Sequence, residues 1–427
     1  MSQVVSTNTP AKIAGYVVRE AAMGFMNDRL FSGLVTVDYS NEFEEDGAKK
    51  GDEIEVRRPA QFRVRDGAGM EIQDVKEDKV KVKLPAQKGV DFKFSARELT
   101  LDIEKNSRAY SERWIRPAGS ALASEFDATG LSVAAKNAGS VIVLGSGATG
   151  DQVYEAFLKA KAMLNKMLAP KNISQRNAVV NSDVENKLAQ NVKQLYNNAR
   201  AIDKAIKDGT IQDVAGLTWS STDLNYVHTN GAGGATFTPK TITPEYDSMT
   251  QWIGYTLSAG TLAVGDTVEF NDSYFVNPET KSLYAQKLQR KILGLRGSGA
   301  NLEALVYSIR PKLAENSVTD EESRCKYAQA NCSATPSAAG TVLGTSGKNY
   351  VCCPVFHKKA IVMTSVDLAR PERSVEMVDA INMKNIMIRF IKDYVTEKDQ
   401  FPNRLDILGV FTAILPEWCV DVEIQID

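Results

Sequence analysis

The chain has 427 residues, 43% of them hydrophobic, and 51 Lys+Arg against 53 Asp+Glu leave a net charge of −2. A chain of this length fills about two or three cores, and its balanced charge excludes the overall basic field of a nucleic-acid binder, leaving only local DNA contact. Met1 to Ala11 lacks the basic head and apolar core of a signal peptide, and no run approaches the ~18 apolar residues of a membrane span, so a cytosolic, non-membrane protein is expected.

Residues 12–35 place Ile13, Val17, Ala21, Ala22 and Phe25 on one side at helical spacing, which predicts an N-terminal arm or short helix. Gly51 to Pro59 then alternates polar and apolar residues, as does Asp78 to Leu84, the pattern of half-exposed strands. The segment between them carries Phe62, Arg63, Arg65, Gly67 and Gly69. A long projecting hairpin is therefore expected, and its open edges call for a defined neighbour.

From Ser107 the period changes: Tyr110, Trp114, Ala118, Ala121, Leu122, Phe126 and Leu131 recur three or four apart, predicting one long helix that bends or begins at Pro117. A second helix is predicted over Asp151 to Leu168 with Asp151 as N-cap, a strand over Asn177 to Val180, and a helix from Asp183 to about Asn198. Short strands continue through Leu224. Between Thr229 and Lys348 the texture turns to Gly, Thr and Ser with short β-like runs such as Gly265 to Phe270 and Leu302 to Arg310, which reads as a small all-β domain set into a larger one. The closing strands, Tyr350 to Cys353, Ala360 to Met363, Ile386 to Thr396, Arg404 to Phe411 and Val420 to Ile426, lack the helices to bury a sheet alone, so they are expected to pair with strands before residue 228.

Chemistry-bearing patterns are sparse. Cys325, Cys332, Cys352, Cys353 and Cys419 form no CxxC pair, and reduced thiols are expected in place of a zinc site with His357. Val141 to Gly150 holds a GxGxxG in Gly145, Gly147 and Gly150 after a strand-like run, which would serve a dinucleotide-binding enzyme. The interval where such a site keeps its ribose acid falls on Pro170-Lys171-Asn172, and Asp151 brings negative charge to the phosphate position, so a plain turn is the preferred reading. Neither His228 nor His357 sits in a hydrolase or HExxH pattern, and Asp203, Asp208 and Asp213 fall where turns favour Asp. Trp219, Trp252 and Trp418 lie in strand-like runs, where core packing is expected. Arg57, Arg58, Arg63 and Arg65 with Glu71, Lys79 and Lys81 make the hairpin the candidate contact surface toward an acidic neighbour, with phosphate contact as the lesser option.

The stretch Asn177 to Leu224, with Asp208-Gly209-Thr210-Ile211, Val214-Ala215-Gly216-Leu217 and Trp219 to Asp223, resembles the core of tailed-phage coat proteins. Gly265-Asp266 opening a strand and Gly24-Phe25-Met26 are further points of likeness, and the chain order is similar throughout to coat proteins of short-tailed phages of the P-twenty-two type. The resemblance implies an α+β fold of the Hong Kong 97 type with an inserted all-β, barrel-like domain. It divides the chain into an N-terminal arm (1–35), an extended loop with peripheral strands (36–105), a spine helix (106–140), a first axial part (141–228), the insertion (229–348) and closing axial and peripheral strands (349–427).

It further implies a major capsid protein of the virion, building an icosahedral shell from hexamers and pentamers of itself. Scaffolding and portal proteins would be its partners, with double-stranded DNA in weak nonspecific contact on the inner face. Assembly would take place in the host cytoplasm as a procapsid that expands on packaging. No enzyme activity, cofactor or metal is implied, and no cleaved propeptide is expected. An encapsulin-like shell without DNA is the alternative within the same resemblance.

Overall fold

The structure is a computed structural model that describes residues 11–37, 53–58, 67–70, 72, 79–84, 87–95, 111–195, 215–240, 245, 248–280, 282–297, 301–309, 330–331, 339–369, 371 and 377–426. The chain divides into two compact units. The first comprises Met1–Ile54, Val82–Gly130 and Val362–Thr412, and the second comprises Glu55–Lys81, Leu131–Ile361 and Ala413–Asp427. No helix among the described residues is long and apolar enough to cross a membrane.

In the first unit, α1 (Ala11–Asp28) and the short α2 (Phe31–Leu34) accompany the start of α3 (Arg116–Lys136). A π-helical turn, Ser111–Ile115, leads into α3, so Pro117 sits in the first turn, where its missing N–H costs no helical hydrogen bond. Leu122, Ala123 and Phe126 are buried. Trp114, expected on the same apolar face, is instead 46% exposed and meets Phe94 edge-to-face at 5.3 Å, because the π turn breaks the helical period ahead of Pro117.

The helices cross closely: a Cβ on Gly24 would stand 2.6 Å from the Arg116 carbonyl oxygen, and one on Gly119 would stand 2.2 Å from that of Ala21. Glycine at both positions is what allows the backbones to touch. Arg116 Nε bonds Glu20 at 2.8 Å beside this crossing.

Leu30, the residue capping α2, makes no side-chain cap. The buried carboxylate of Asp127 on α3 takes over, accepting from the backbone N–H groups of Leu30, of Phe31 at 3.0 Å and of Ser32 at 2.9 Å. The sheet of this unit runs β1 (Thr36–Val37), β18 (Ile361–Val366), β21 (Gln400–Ala413), β20 (Ile386–Lys392), β19 (Met377–Met383), with β4 (Lys88–Ser95) also on β21. β20 stops at Lys392, short of the expected Thr396.

The second unit holds a mixed six-stranded sheet in the order β5 (Ser140–Leu144), β22 (Cys419–Gln425), β17 (Asn349–His357), β6 (Arg176–Val180), β7 (Thr218–Ser221), with β8 (Val227–Thr229) on β17. α4 (Gly150–Lys166) lays Val153, Ala156, Phe157, Ala160 and Leu164 on one face, joined by Val184 and Leu188 of α5 (Ser182–Leu195). Thr149, not Asp151, caps α4, in a capping box with Gln152. Trp219 packs on Phe157 at 4.8 Å within this core.

Between β8 and β17 in chain order lies an antiparallel eight-stranded sheet. It runs β12 (Leu283–Lys291), β11 (Thr267–Val276), β16 (Gly340–Val342), β9 (Thr236–Pro239), β10 (Thr250–Leu257), β14 (Glu303–Tyr307), β13 (Gly294–Arg296), with β15 (Ala330–Asn331) on β11. Its core gathers Phe237, Ile253, Tyr255, Phe270, Leu288, Val306 and Val342. Trp252 is 38% exposed with the Arg296 guanidinium 4.1 Å above its ring, contrary to the expected core position, because Ile253 takes the inward side of β10.

Both histidines pack in strands. His228 Nε2 lies 2.8 Å from Asp266, whose carboxylate also accepts from the N–H groups of Gly231, Ala232 and Ala263. Gly265, at φ +105°, leaves His228 the room a Cβ would take, which gives the Gly265-Asp266 pair its reason. His357 is fully buried, with its ring 5.2 Å from Trp418. Its Nδ1 accepts from the Lys359 N–H at 3.2 Å, so the neutral ring carries its proton on Nε2, 3.2 Å from Gln175 Oε1. Burial first, then Arg176 and Lys359, lowers its pKa from 6.5 to about 4.

Two outcomes follow. Asp127→Ala leaves three backbone donors without their acceptor, so the thermal midpoint should fall by an amount equivalent to about 2–3 kcal/mol, and amide exchange at Leu30 to Ser32 should accelerate. For His357, the unfolded chain takes up a proton near pH 6.5 while the folded ring resists until about pH 4. The unfolded state therefore binds more protons in that window, and stability falls as pH falls through it. Urea titrations at pH 7 and pH 4.5 should show wild type losing on the order of 2 kcal/mol more than His357→Gln.

Candidate functional site

β2 (Glu53–Arg57) and β3 (Lys79–Lys83) pair in a two-stranded sheet. Strand alternation sends Lys79, Lys81 and Lys83 outward and Val80 and Val82 inward. Lys79 Nζ meets Glu55 at 2.7 Å with both side chains about half exposed, a pair of small energetic weight in water. Arg57 belongs to β2, whereas Arg63, Arg65 and Glu71 lie outside the described residues, as do Asp203, Asp208, Asp213, Cys325 and Cys332.

Arg58 is held differently from the lysines. Its Nη2 reaches both carboxylate oxygens of Glu417, at 3.0 and 2.9 Å, and the two side chains are only 12% and 19% exposed. They line a cleft with Met167, Arg290, Tyr307 and Pro416. Burial pushes the Tyr307 phenol far above its ordinary range, so it stays protonated and donates to Asn137 Oδ1 at 2.8 Å. Arg58 thus anchors the root of the hairpin inside its own subunit.

Between β2 and β3 in chain order, Gly67 takes φ +92°, and Met70 and Ile72 are 81% and 85% exposed. These apolar side chains were not singled out from the sequence. Their signal was present in two large apolar residues flanking Glu71 in a polar segment, a pattern that has meaning only once their exposure is known.

A second polar group, also unpredicted, lies deep in the same unit. Alternation along β22 sends Val420, Val422 and Ile424 into the helix-covered core and turns Asp421 and Glu423 to the opposite face, where both remain buried. Lys291, at the end of β12, enters that face with Nζ 2.8 Å from Asp421 Oδ2 and 2.8 Å from Glu423 Oε1. Burial raises the Glu423 pKa against the pull of Lys291. The two carboxylates hold the ammonium charged well above its ordinary range despite its burial.

Cys352, across the β17–β22 ladder from Glu423, completes a set of metal-type donors with both carboxylates. The ammonium already supplies the positive charge between the carboxylates, so a divalent ion would have to displace it, and burial pushes the Cys352 thiol up, away from the thiolate a metal needs.

The GxGxxG segment is a capped strand-to-helix turn. Gly145 and Gly147 have open space where a Cβ would stand, Thr149 occupies the helix N-terminus, and Asp151 lies in the first turn. That arrangement repels an anion.

A family model described as "P22 coat protein - gene protein 5" matches residues 6–420. No curated protein matches the chain in sequence. Solved structures similar to it include the capsid of Cyanophage P-SCSP1u (11% identity, 93% of this chain and 88% of that one, TM-score 0.46). Mycobacterium phage Che8 (11%, 92% and 90%, 0.45) and a virus-like particle from Pyrococcus furiosus (10%, 96% and 98%, 0.40) are similar at the same level. With the family match running over nearly its whole length, the chain belongs to the P22 coat protein family, as an α+β major capsid protein that builds the shell of a tailed phage.

Proposed function

We propose that subunits of this coat protein join through the loop of residues 51–84, which reaches over a neighbour in the hexamers and pentamers of the shell. The observation that carries this reading is the exposure of Met70 and Ile72, at 81% and 85%, in the segment joining the paired strands β2 and β3, next to which Arg58 is tied down by Glu417. Large apolar residues left in water gain free energy when a partner surface covers them. Lys79, Lys81, Arg57, Arg63, Arg65 and Glu71 would then form the polar rim that sets register and rejects wrong neighbours.

On the same reading, residues 229–348 form an inserted domain that stabilises the subunit, with an arm over 1–35, a spine helix within 106–140, and axial and peripheral parts from the remainder. A scaffolding protein guides assembly of a procapsid in the host cytoplasm, a portal ring joins it, and the shell expands as double-stranded DNA enters. The net charge of −2 supports only weak, nonspecific contact with that DNA.

A double variant, Met70→Asp with Ile72→Asp, tests the loop. Exposed positions contribute within about 0.5 kcal/mol to folding, so its thermal midpoint should match wild type. Loss of two apolar anchors, each about 1.5–3 kcal/mol when fully buried, should cut the yield of shells on sedimentation by at least about tenfold. Shells at wild-type yield and size would remove the loop from the contact.

A further inference from the structure

We propose that Lys291 and Asp421 are joined in this chain by a side-chain amide, a cross-link made within the subunit by the buried Lys291, Asp421 and Glu423. The three groups have the placement such a bond requires. Nζ of Lys291 lies 2.8 Å from Asp421 Oδ2 and 2.8 Å from Glu423 Oε1. Lys291 comes from the eight-stranded sheet and both carboxylates from β22 of the mixed sheet. Because the carboxylates stand two residues apart on one side of β22, the ammonium sits between them and cannot approach one without touching the other.

Their surroundings favour the reaction. All three side chains are at most 3% exposed, so water neither hydrates the ions nor opposes condensation by mass action. Asp421 keeps a second oxygen, Oδ1, with no hydrogen-bond partner among the described residues, although the Cys352 thiol bears on the same carboxylate. A buried ion pair with an unpaired oxygen is a costly arrangement. An amide removes both formal charges and one of the two oxygens.

The step balances without any co-reactant. Lys291 enters as the ammonium and Asp421 as the carboxylate. Glu423 accepts a proton from Nζ, and the freed lone pair attacks Asp421 Cγ. Glu423 returns that proton to the departing oxygen, which takes a second proton from the same nitrogen and leaves as water. One C–N bond forms, one C–O bond breaks, and no electron is gained or lost overall. Glu423 ends as it began, within reach of the new amide N–H. Its raised pKa suits a group that must both take and release a proton.

Intact mass spectrometry of the full-length protein, fresh and after storage, reads the bond directly. Wild type should weigh less than its sequence by the mass of one water, and trypsin should release a branched peptide joining the Lys291 segment to the Asp421 segment. Lys291→Arg should have its full sequence mass. Glu423→Gln, nearly isosteric, should form the bond about 100-fold more slowly or worse, the usual size of a lost acid–base group.

Wild type at its full sequence mass, in subunits and in assembled shells, would overturn the proposal whether or not any variant folds. Water loss without the branched peptide, as a succinimide at Asp421 would give, overturns it equally. Cross-linking of Glu423→Gln at the wild-type rate would refute the proton-carrying role.

Discussion

The construction of the second unit depends on Lys291 standing between Asp421 and Glu423. β22 is buried on both sides, and only one of them is apolar: Val420, Val422 and Ile424 pack under α4, while the other side presents two carboxylates. Carboxylates in a dry core need a compensating charge or a hydrogen-bond donor aimed at them. Lys291 brings that charge from the eight-stranded sheet, so the two sheets have to meet in one register for either to be stable. Removing the eight-stranded sheet would leave two uncompensated carboxylates, and removing β22 would strand a buried lysine.

Neutral contacts support the same junction. Gln289, two residues before Lys291, accepts from the Val141 N–H at 2.9 Å. The Tyr284 hydroxyl donates to the Lys166 carbonyl at 2.9 Å, and Trp418 Nε1 donates to the Met167 carbonyl at 3.0 Å. Met167 and Trp418 also reach the core of the eight-stranded sheet. Interiors packed this way deform in discrete steps and not continuously. The hairpin follows another logic. Arg58, just after β2, is held by the largely buried pair with Glu417, while Met70 and Ile72 in the segment before β3 are exposed.

How legible all this was depended on whether a residue's role was local or relational. Alternation in Glu53–Arg57 and Lys79–Lys83 named the hairpin strands, since a period of two needs no knowledge of the partner. The spacing of Val153, Ala156, Phe157, Ala160 and Leu164 named the face of α4. Errors of detail arose where local rules competed. Thr149 outranked Asp151 as cap because Gln152 lies three residues after it, and Trp114 left its assigned face because a π turn shifted the phase.

Sequence alone determined the class of elements, their order and the likeness to phage coat proteins. These follow from periodicity, composition and turn chemistry, which act over a few residues. Tertiary structure decided the rest. Cys419-Val420-Asp421-Val422-Glu423 reads as an alternating strand with a wet side, and only the arrival of β12, some 130 positions away in the chain, made that side the most deeply buried charge cluster described in this subunit. The exposure of Met70 and Ile72, at 81% and 85%, is likewise visible only in the structure. Burial is a property of what packs against a residue, and no local pattern carries it.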